Sequence, residues 1–265
     1  MSLLGRLVGV GERGERAVLF TVVEGDGVGS KLLVLEGGER EGNGPPELAG
    51  LADEVQRRGR NRLLELEGRR VFAEVYGPPP RIVVYGAVDT AEALCREARL
   101  LGWTAIVADA RAKFATRERI PSAHELIVAW PEEAFAQVAL DHQTAVVVLT
   151  HDDKFDEPAL IAALGSEAFY IGALGSRRNQ ARRRERLLAA GVEEAQLDRI
   201  VGPCGLDIGA ETQAETAVSI IGEILATRAG RGGGPLREAK HRIHVEITDE
   251  VPGAAAGLSQ PAPAA

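Results

Sequence analysis

The residues able to do chemistry gather in glycine-rich turns that follow apolar runs. Gly172-Ala-Leu-Gly-Ser-Arg-Arg178 sets a serine and two arginines on sparsely shielded backbone where a helix is predicted to begin. Open N–H groups at a helix start favour a phosphate or another oxyanion, and arginine adds two-pronged hydrogen bonds. Gly172, Gly175, Ser176, Arg177 and Arg178 are therefore candidate ligand contacts. Val201 to Ala210 is a second such loop, carrying Cys204, Gly205 and Asp207. Glycines so dense cost conformational entropy, which makes sense where something must approach the main chain. Cys204 is a candidate for sulfur chemistry, for which its thiol would need a lowered pKa.

Two further turns carry candidates. Thr150-His151-Asp152-Asp153-Lys154 directly follows the most apolar run of the chain. A histidine beside a carboxylate can shuttle protons near neutrality, so His151, Asp152 and Lys154 are candidate catalytic residues and Thr150 a binding residue. Alternatively, Asp152, Asp153 or Asp156 caps a helix beginning near Glu157, with Pro158 in its first turn. Gly86-Ala-Val-Asp89 stands where a dinucleotide fold carries its glycine turn, with Val88 and Ala91 in place of the second and third glycines. Gly86, Ala87 and Val88 are candidate binding residues, and Asp89 is a candidate N-cap. Asp109, about 20 residues on, either accepts from a ribose or pairs with Arg111. Arg182, Arg183, Arg184 and Arg186 read as a solvated face or a contact for an acidic partner, and Cys95 as a core residue on a helical apolar stripe.

These turns need strands and helices to hold them. Short β-prone runs at Ala17–Val23 and Ser30–Leu35, a helix over Leu48–Arg58 and strands at Leu63–Leu66 and Arg70–Val75 predict a small β-containing domain over residues 1–77. Gly77-Pro-Pro-Pro80 is a stiff stop. Then strands at Arg81–Tyr85, Trp103–Ala108, Glu125–Ala129, Thr144–Leu149 and Ala168–Ile171 alternate with helices at Thr90–Leu101, Pro131–Ala139, Glu157–Leu164, Ser176–Ala190 and Glu211–Ala229. Apolar strands alternating with helices predict a doubly wound, parallel α/β sheet of Rossmann type over residues 81–229. The tail, residues 230–265, holds one isolated strand near His241–Thr248 and an Ala/Pro/Gly-rich end expected to be largely disordered.

Composition narrows the function classes. A net charge of −8 argues against general nucleic-acid binding, and 4% aromatic residues against a base-stacking platform. Two cysteines without Cys-x-x-Cys spacing give no disulfide framework and no zinc site, so no metal is expected. No apolar run reaches a membrane span, and the first residues lack a secretory pattern, which predicts a cytoplasmic protein.

The chain resembles the XdhC/CoxI family, accessory proteins of xanthine dehydrogenase and related molybdenum hydroxylases. The resemblance lies in Phe114-Ala-Thr-Arg-Glu-Arg-Ile-Pro121, Val148-Leu-Thr-His-Asp-Asp-Lys-Phe-Asp-Glu-Pro158, Tyr170-Ile-Gly-Ala-Leu-Gly-Ser-Arg-Arg178 and Gly202-Pro-Cys-Gly-Leu-Asp-Ile-Gly-Ala210, within Arg81 to Arg228. It implies a Rossmann-like domain beside a smaller N-terminal one. It also implies a chaperone that transiently binds the molybdenum cofactor (molybdopterin), supports its sulfuration and passes it to the large subunit of a molybdenum hydroxylase. A cysteine desulfurase is an expected further partner, and a homodimer an expected assembly. The chain departs from the family at Gly86-Ala-Val-Asp89, where members commonly carry Gly-Ala-Gly-His, and in lacking a cysteine between Glu36 and Pro46. The alternative function is an NAD(P)-dependent oxidoreductase with His151 as acid/base and Asp109 on the ribose.

Overall fold

The computed structural model describes residues 2–66, 68–150 and 152–240, and the backbone of 248–250. His151 lies outside the described residues, as does most of the predicted tail. The chain divides into two compact units, Met1–Pro78 with Pro235–Ala265, and Pro79–Gly234.

The first unit opens on a helix, α1 (Leu3–Arg13), not among the sequence expectations; Gly5, Gly9 and Gly11 lower its intrinsic propensity. Ser2 caps it by accepting from the Gly5 amide, and Gly14 ends it in the left-handed region. Buried Val10, with Leu3 and Leu7 beside it, forms the packing stripe that selects this helix. β1 (Ala17–Glu24), β2 (Lys31–Leu35) and β3 (Arg40–Gly42) follow. The predicted helix over Leu48–Arg58 is split into a 3-10 turn at Pro46–Leu51 and α2 (Ala52–Arg58). β4 (Arg62–Leu66) and β5 (Arg69–Tyr76) complete an antiparallel array in the order β4-β5-β1-β2-β3. One face buries Phe20, Val71 and Ala73 against Leu48 and Val55; the other holds Leu19 and Leu33 with Val10.

The second unit alternates strand and helix: β6 (Arg81–Tyr85), α3 (Asp89–Leu100), β7 (Thr104–Ala108), β8 (Glu125–Ile127), α4 (Pro131–Val138) and β9 (Thr144–Val148). It continues with α5 (Asp153–Leu164), β10 (Tyr170–Ala173), α6 (Arg177–Ala189), α7 (Glu194–Leu197), β11 (Ile200–Val201) and α8 (Gln213–Arg228). All six strands are parallel, in the order β8-β7-β6-β9-β10-β11. That is the Rossmann order, with its topological switch between β6 and β9. Alternate strand residues serve opposite faces. Ile82, Val84, Ala145 and Val147 pack under α3 and α8, while Val83, Tyr85, Val146 and Val148 pack under α4, α5 and α6. Among the described residues no helix is long and apolar enough to cross a membrane.

Three sequence expectations are corrected. α5 begins at Asp153, not near Glu157, because Asp152 already caps it by accepting from the Lys154 amide. Pro158 consequently lies inside the helix, where its missing N–H forgoes one hydrogen bond. Asp89 is the first residue of α3 and Val88 occupies the N-cap position with no side-chain cap. Finally, the strand after Pro235 is not isolated: β12 (Thr248–Glu250) runs parallel to β4 in the first unit's sheet.

Candidate functional site

Four of the loops that leave the carboxyl edge of the parallel sheet, where ligands sit in open α/β folds, carry candidate residues from the sequence. At the first, β6 to α3, the three amides of the turn are bonded within the protein, while those of Asp89 and Thr90 at the start of α3 find no acceptor among the described residues. The Gly86 amide donates to Ala108 O (2.8 Å), Ala87 to Asp109 Oδ2 (3.0 Å) and Val88 to Gly86 O (2.9 Å). Gly86 has φ +113°, and a Cβ there would stand 3.1 Å from the Thr150 methyl. The glycine lets the ends of β6 and β9 pass each other. Asp89, beside this turn, pairs with Arg119 at 3.2 Å.

Asp109 is fully engaged. Its Oδ1 accepts from the Arg111 amide and Nε, both at 2.9 Å, and its Oδ2 from Ala87 N at 3.0 Å and Arg111 Nη2 at 2.8 Å. Four bonds fill the four lone-pair positions of a carboxylate, and only 1% of the residue is exposed. Of the two roles open to it, pairing with Arg111 is the one the structure adopts, and it has no acceptor left for a ribose. Burial pushes its pKa up, but the bonds from Arg111 and the Ala87 amide outweigh burial and hold it below the usual aspartate range. The Arg111 guanidinium carbon lies 4.3 Å from the Phe114 ring centroid and 5.4 Å from that of Phe155. Phe114 packs with the α3–α8 core and Phe155 with the α4–α5 core. Arg111 thus bridges the sheet's two faces across the top of β6 and β7.

At the third loop, Asp152 is the α5 cap and pairs at 3.6 Å with Lys154, whose ammonium lies 4.6 Å from the Phe155 ring centroid. Thr150 is different. It is 3% exposed and its hydroxyl is buried with no hydrogen-bond partner among the described residues.

The fourth loop runs from β10 to α6. Leu174 N closes the ladder on Val148 O, and Ser176 caps α6 by accepting from Asn179 N. Between these points the amides of Gly175, Ser176, Arg177 and Arg178 find no acceptor among the described residues. Arg177 and Arg178 are exposed and make no ion pair or hydrogen bond there. Ladder register sets Ala173 opposite Val148, where the pairing of β10 with β9 ends. Beneath the loop, Arg183 reaches back along α6, donating to Asp156 and, at 3.1 Å, to Leu174 O. Its Nη1 is buried without a partner among the described residues. Arg183, at 5% exposure, corrects the expected solvated face; Arg184 and Arg186 instead pair with Glu194 and Asp198, and with Asp153 and Glu157. Burial pushes the Asp156 pKa up against the pull of Arg183.

Two expected contacts are corrected by packing. Gly172 lies inside β10, paired to Val147 and Val201, and the Tyr170 ring fills the space a Cβ would take at 2.6 Å. This glycine serves the core. Cys204 is also buried there, with Tyr170, Ala217 and Ile220, and burial beside Glu223 raises its thiol to about 12. A thiol so raised is protonated at physiological pH, the opposite of the lowered pKa that sulfur chemistry would need. Cys95 is equally buried and likewise raised to about 12. Asp207 is exposed on the loop that Gly205 anchors, the Gly205 amide and the Tyr170 hydroxyl both donating to Glu223 at 2.7 Å.

Motif and spacing pass over Glu223, Gln180 and the Arg183–Asp156 pair. Gln180 Nε2 donates to Ala173 O, and its amide occupies the space beside Gly202, tying the two glycine loops together. A signal exists in the sequence all the same: Arg183 precedes buried Leu187 by one helical turn, and Glu223 adjoins Ile220 and Ile224 on α8. A charged residue in an apolar register has an internal partner.

A family model described as the XdhC Rossmann domain matches residues 82–224, over half of the chain. A Bacillus subtilis protein, a probable subunit of xanthine dehydrogenase, is 34% identical over 158 residues, covering 60% of this chain and 46% of that protein. The molybdenum cofactor insertion chaperone PaoD of Escherichia coli is 28% identical over 157 residues, covering 59% of this chain and 43% of its own. The chain therefore spans less than half the length of either relative. A crystal structure of a xanthine dehydrogenase from Bacillus halodurans has the same fold, with a TM-score of 0.64 and 24% identity over 86% of this chain and 66% of that one. With its parallel sheet in Rossmann order and most of that unit matched, the chain belongs to the XdhC Rossmann-domain family.

Proposed function

We propose that this chain receives the molybdenum cofactor, holds it through the oxyanions of molybdopterin at the β10–α6 loop, and releases it to the large subunit of a molybdenum hydroxylase. The observation that carries the reading is the run of four amides, Gly175 to Arg178, unengaged among the described residues and next to two guanidinium groups equally without partners there. Such a run is a seat for an anion, strengthened by the positive end of α6. The buried, unmatched Thr150 hydroxyl fits the same cargo, since an unbonded buried donor costs stability that a ligand oxygen would return. The similarity to an insertion chaperone supplies the identity of the cargo. The cofactor's own metal and dithiolene supply the redox chemistry in the recipient enzyme; this chain's residues bind, orient and let go.

Sulfuration, in this reading, reaches the cargo directly from a desulfurase. Neither cysteine of the chain offers an accessible thiolate to relay sulfur. Lys154, Asp152 and Asp207 remain exposed near the carboxyl edge and are proposed to meet the pterin's polar edge. The oxidoreductase alternative loses its ribose acceptor, since all four acceptor positions of Asp109 are filled. The test is an equilibrium titration of the full chain with released molybdopterin. Saturable binding that weakens at least about tenfold in Arg177→Ala/Arg178→Ala is expected. Unchanged affinity in that variant would overturn the assignment of the site.

A further inference from the structure

We infer that Trp130 and Arg111 form the subsite for the pterin ring itself, the indole stacking on the heterocycle and the guanidinium donating to its ring carbonyl. That the ring is a pterin rests on the reading above; the residues lie outside the α6 loop. Every phenylalanine, tyrosine and tryptophan of the chain is among the described residues, and all but one are buried or half-buried. Trp130 is the exception, at 52% exposure. It stands at the N-cap position of α4, directly after β8, with buried Pro131 behind it, and packs on Phe155 with ring centroids 5.1 Å apart. A large ring held on a rigid support at the carboxyl edge, yet left half in water, is what a stacking partner would cover.

Arg111 supplies the polar half of the subsite. Its Nε and Nη2 are bonded to Asp109, and its guanidinium carbon lies against the rings of Phe114 and Phe155. These contacts fix the plane of the group. Its Nη1 makes no hydrogen bond among the described residues, and the side chain is 33% exposed. The saturated Asp109 carboxylate thus orients a donor rather than receiving a ligand. Phe155 joins the two halves: the Arg111 guanidinium carbon is 5.4 Å and the Trp130 ring 5.1 Å from its centroid, so the span between them is at most the sum of these distances. A two-ring heterocycle covers such a span. The Lys154 ammonium, 4.6 Å from the same centroid, adds a second cation. Three loops, after β7, β8 and β9, meet here through printed ring and cation contacts, and the chemistry they offer is that of pterin: an aromatic surface beside a fixed donor for a carbonyl oxygen.

The test uses the 15N-labelled full chain with 6-hydroxymethylpterin, which has the ring and no phosphate, and adenosine, which has an amino group where pterin has its carbonyl. The chain has two tryptophans, so Trp103→Phe assigns the two indole N–H signals. The pterin is expected to move the Trp130 signal saturably and to leave that of buried Trp103 in place. Trp130→Ala should bind it at least about fivefold more weakly, and Trp130→Phe should restore most of the affinity. Adenosine should bind at least about fivefold more weakly than the pterin, because an amino group cannot accept from Arg111. A stationary Trp130 signal, unchanged affinity in Trp130→Ala, or equal affinity for adenosine would each overturn the inference. Molybdopterin separates it from the phosphate seat. Binding weakened by Trp130→Ala but not by Arg177→Ala/Arg178→Ala overturns that seat and supports the ring subsite; the reverse pattern overturns the ring subsite alone.

Discussion

Single residues set the balance between folding and binding here. Thr150 carries an unmatched hydroxyl in a site 3% exposed. An unsatisfied buried donor costs about 1–3 kcal/mol. Thr150→Val, which keeps the shape and removes the hydroxyl, should therefore raise the stability of the ligand-free chain by about 1 kcal/mol in urea unfolding. Cys204 makes a second residue-level case. With its thiol near 12 and its side chain in the core, the native chain should resist iodoacetamide at pH 8 and react rapidly only in denaturant. Rapid labelling of the native chain would revive a sulfur relay.

Elements are locked by charge as much as by apolar packing. α5 and α6 share the buried Arg183–Asp156 pair and the flanking Arg186 bonds to Asp153 and Glu157. Removing one partner of a buried pair leaves an uncompensated charge, at a cost of about 3–5 kcal/mol. Arg183→Met should lose that much in urea unfolding, while Arg183→Met/Asp156→Leu should recover most of it. Acid acts on the β7 edge with a definite sign. The Asp109 pKa is lowered in the fold, so its contribution is present above the ordinary aspartate value of 3.8 and is lost as pH falls through the folded value. Asp156 is raised, and its contribution declines instead as pH rises through its folded value. Asp109→Asn should start less stable and lose less between about pH 5 and about pH 3 than the parent chain; urea midpoints at the two pH values measure this.

On the scale of the whole molecule, each compact unit carries its own hydrophobic clusters. The unit Pro79–Gly234 contains the entire parallel sheet and all the loops of the candidate site. A fragment of residues 79–234 should fold with a cooperative thermal transition and bind released molybdopterin with the affinity of the full chain, read by the same equilibrium titration. A loss of affinity in a folded fragment would give residues 1–78 or 235–265 a part in the site. The net charge of −8 makes the cluster at Arg177 and Arg178 a local exception, so binding there should weaken with salt.

Sequence alone determined the alternation of strand and helix, because near-continuous Val, Ile and Leu runs can be buried on both faces only in a covered parallel sheet. It also singled out Gly175 to Arg178, since a capping serine and paired arginines at a helix start carry their chemistry locally. It missed α1, whose helical stripe of Leu3, Leu7 and Val10 is interrupted by Gly5, Gly9 and Gly11 and is held by packing on Leu19 and Leu33. Tertiary structure alone decided which glycines serve close packing. Gly172 yields to the Tyr170 ring and Gly86 to Thr150, neighbours that no local spacing reveals. It likewise decided that the Asp109 carboxylate is saturated and the Cys204 thiol buried with a raised pKa, because hydrogen-bond saturation and desolvation depend on atoms brought together from distant parts of the chain.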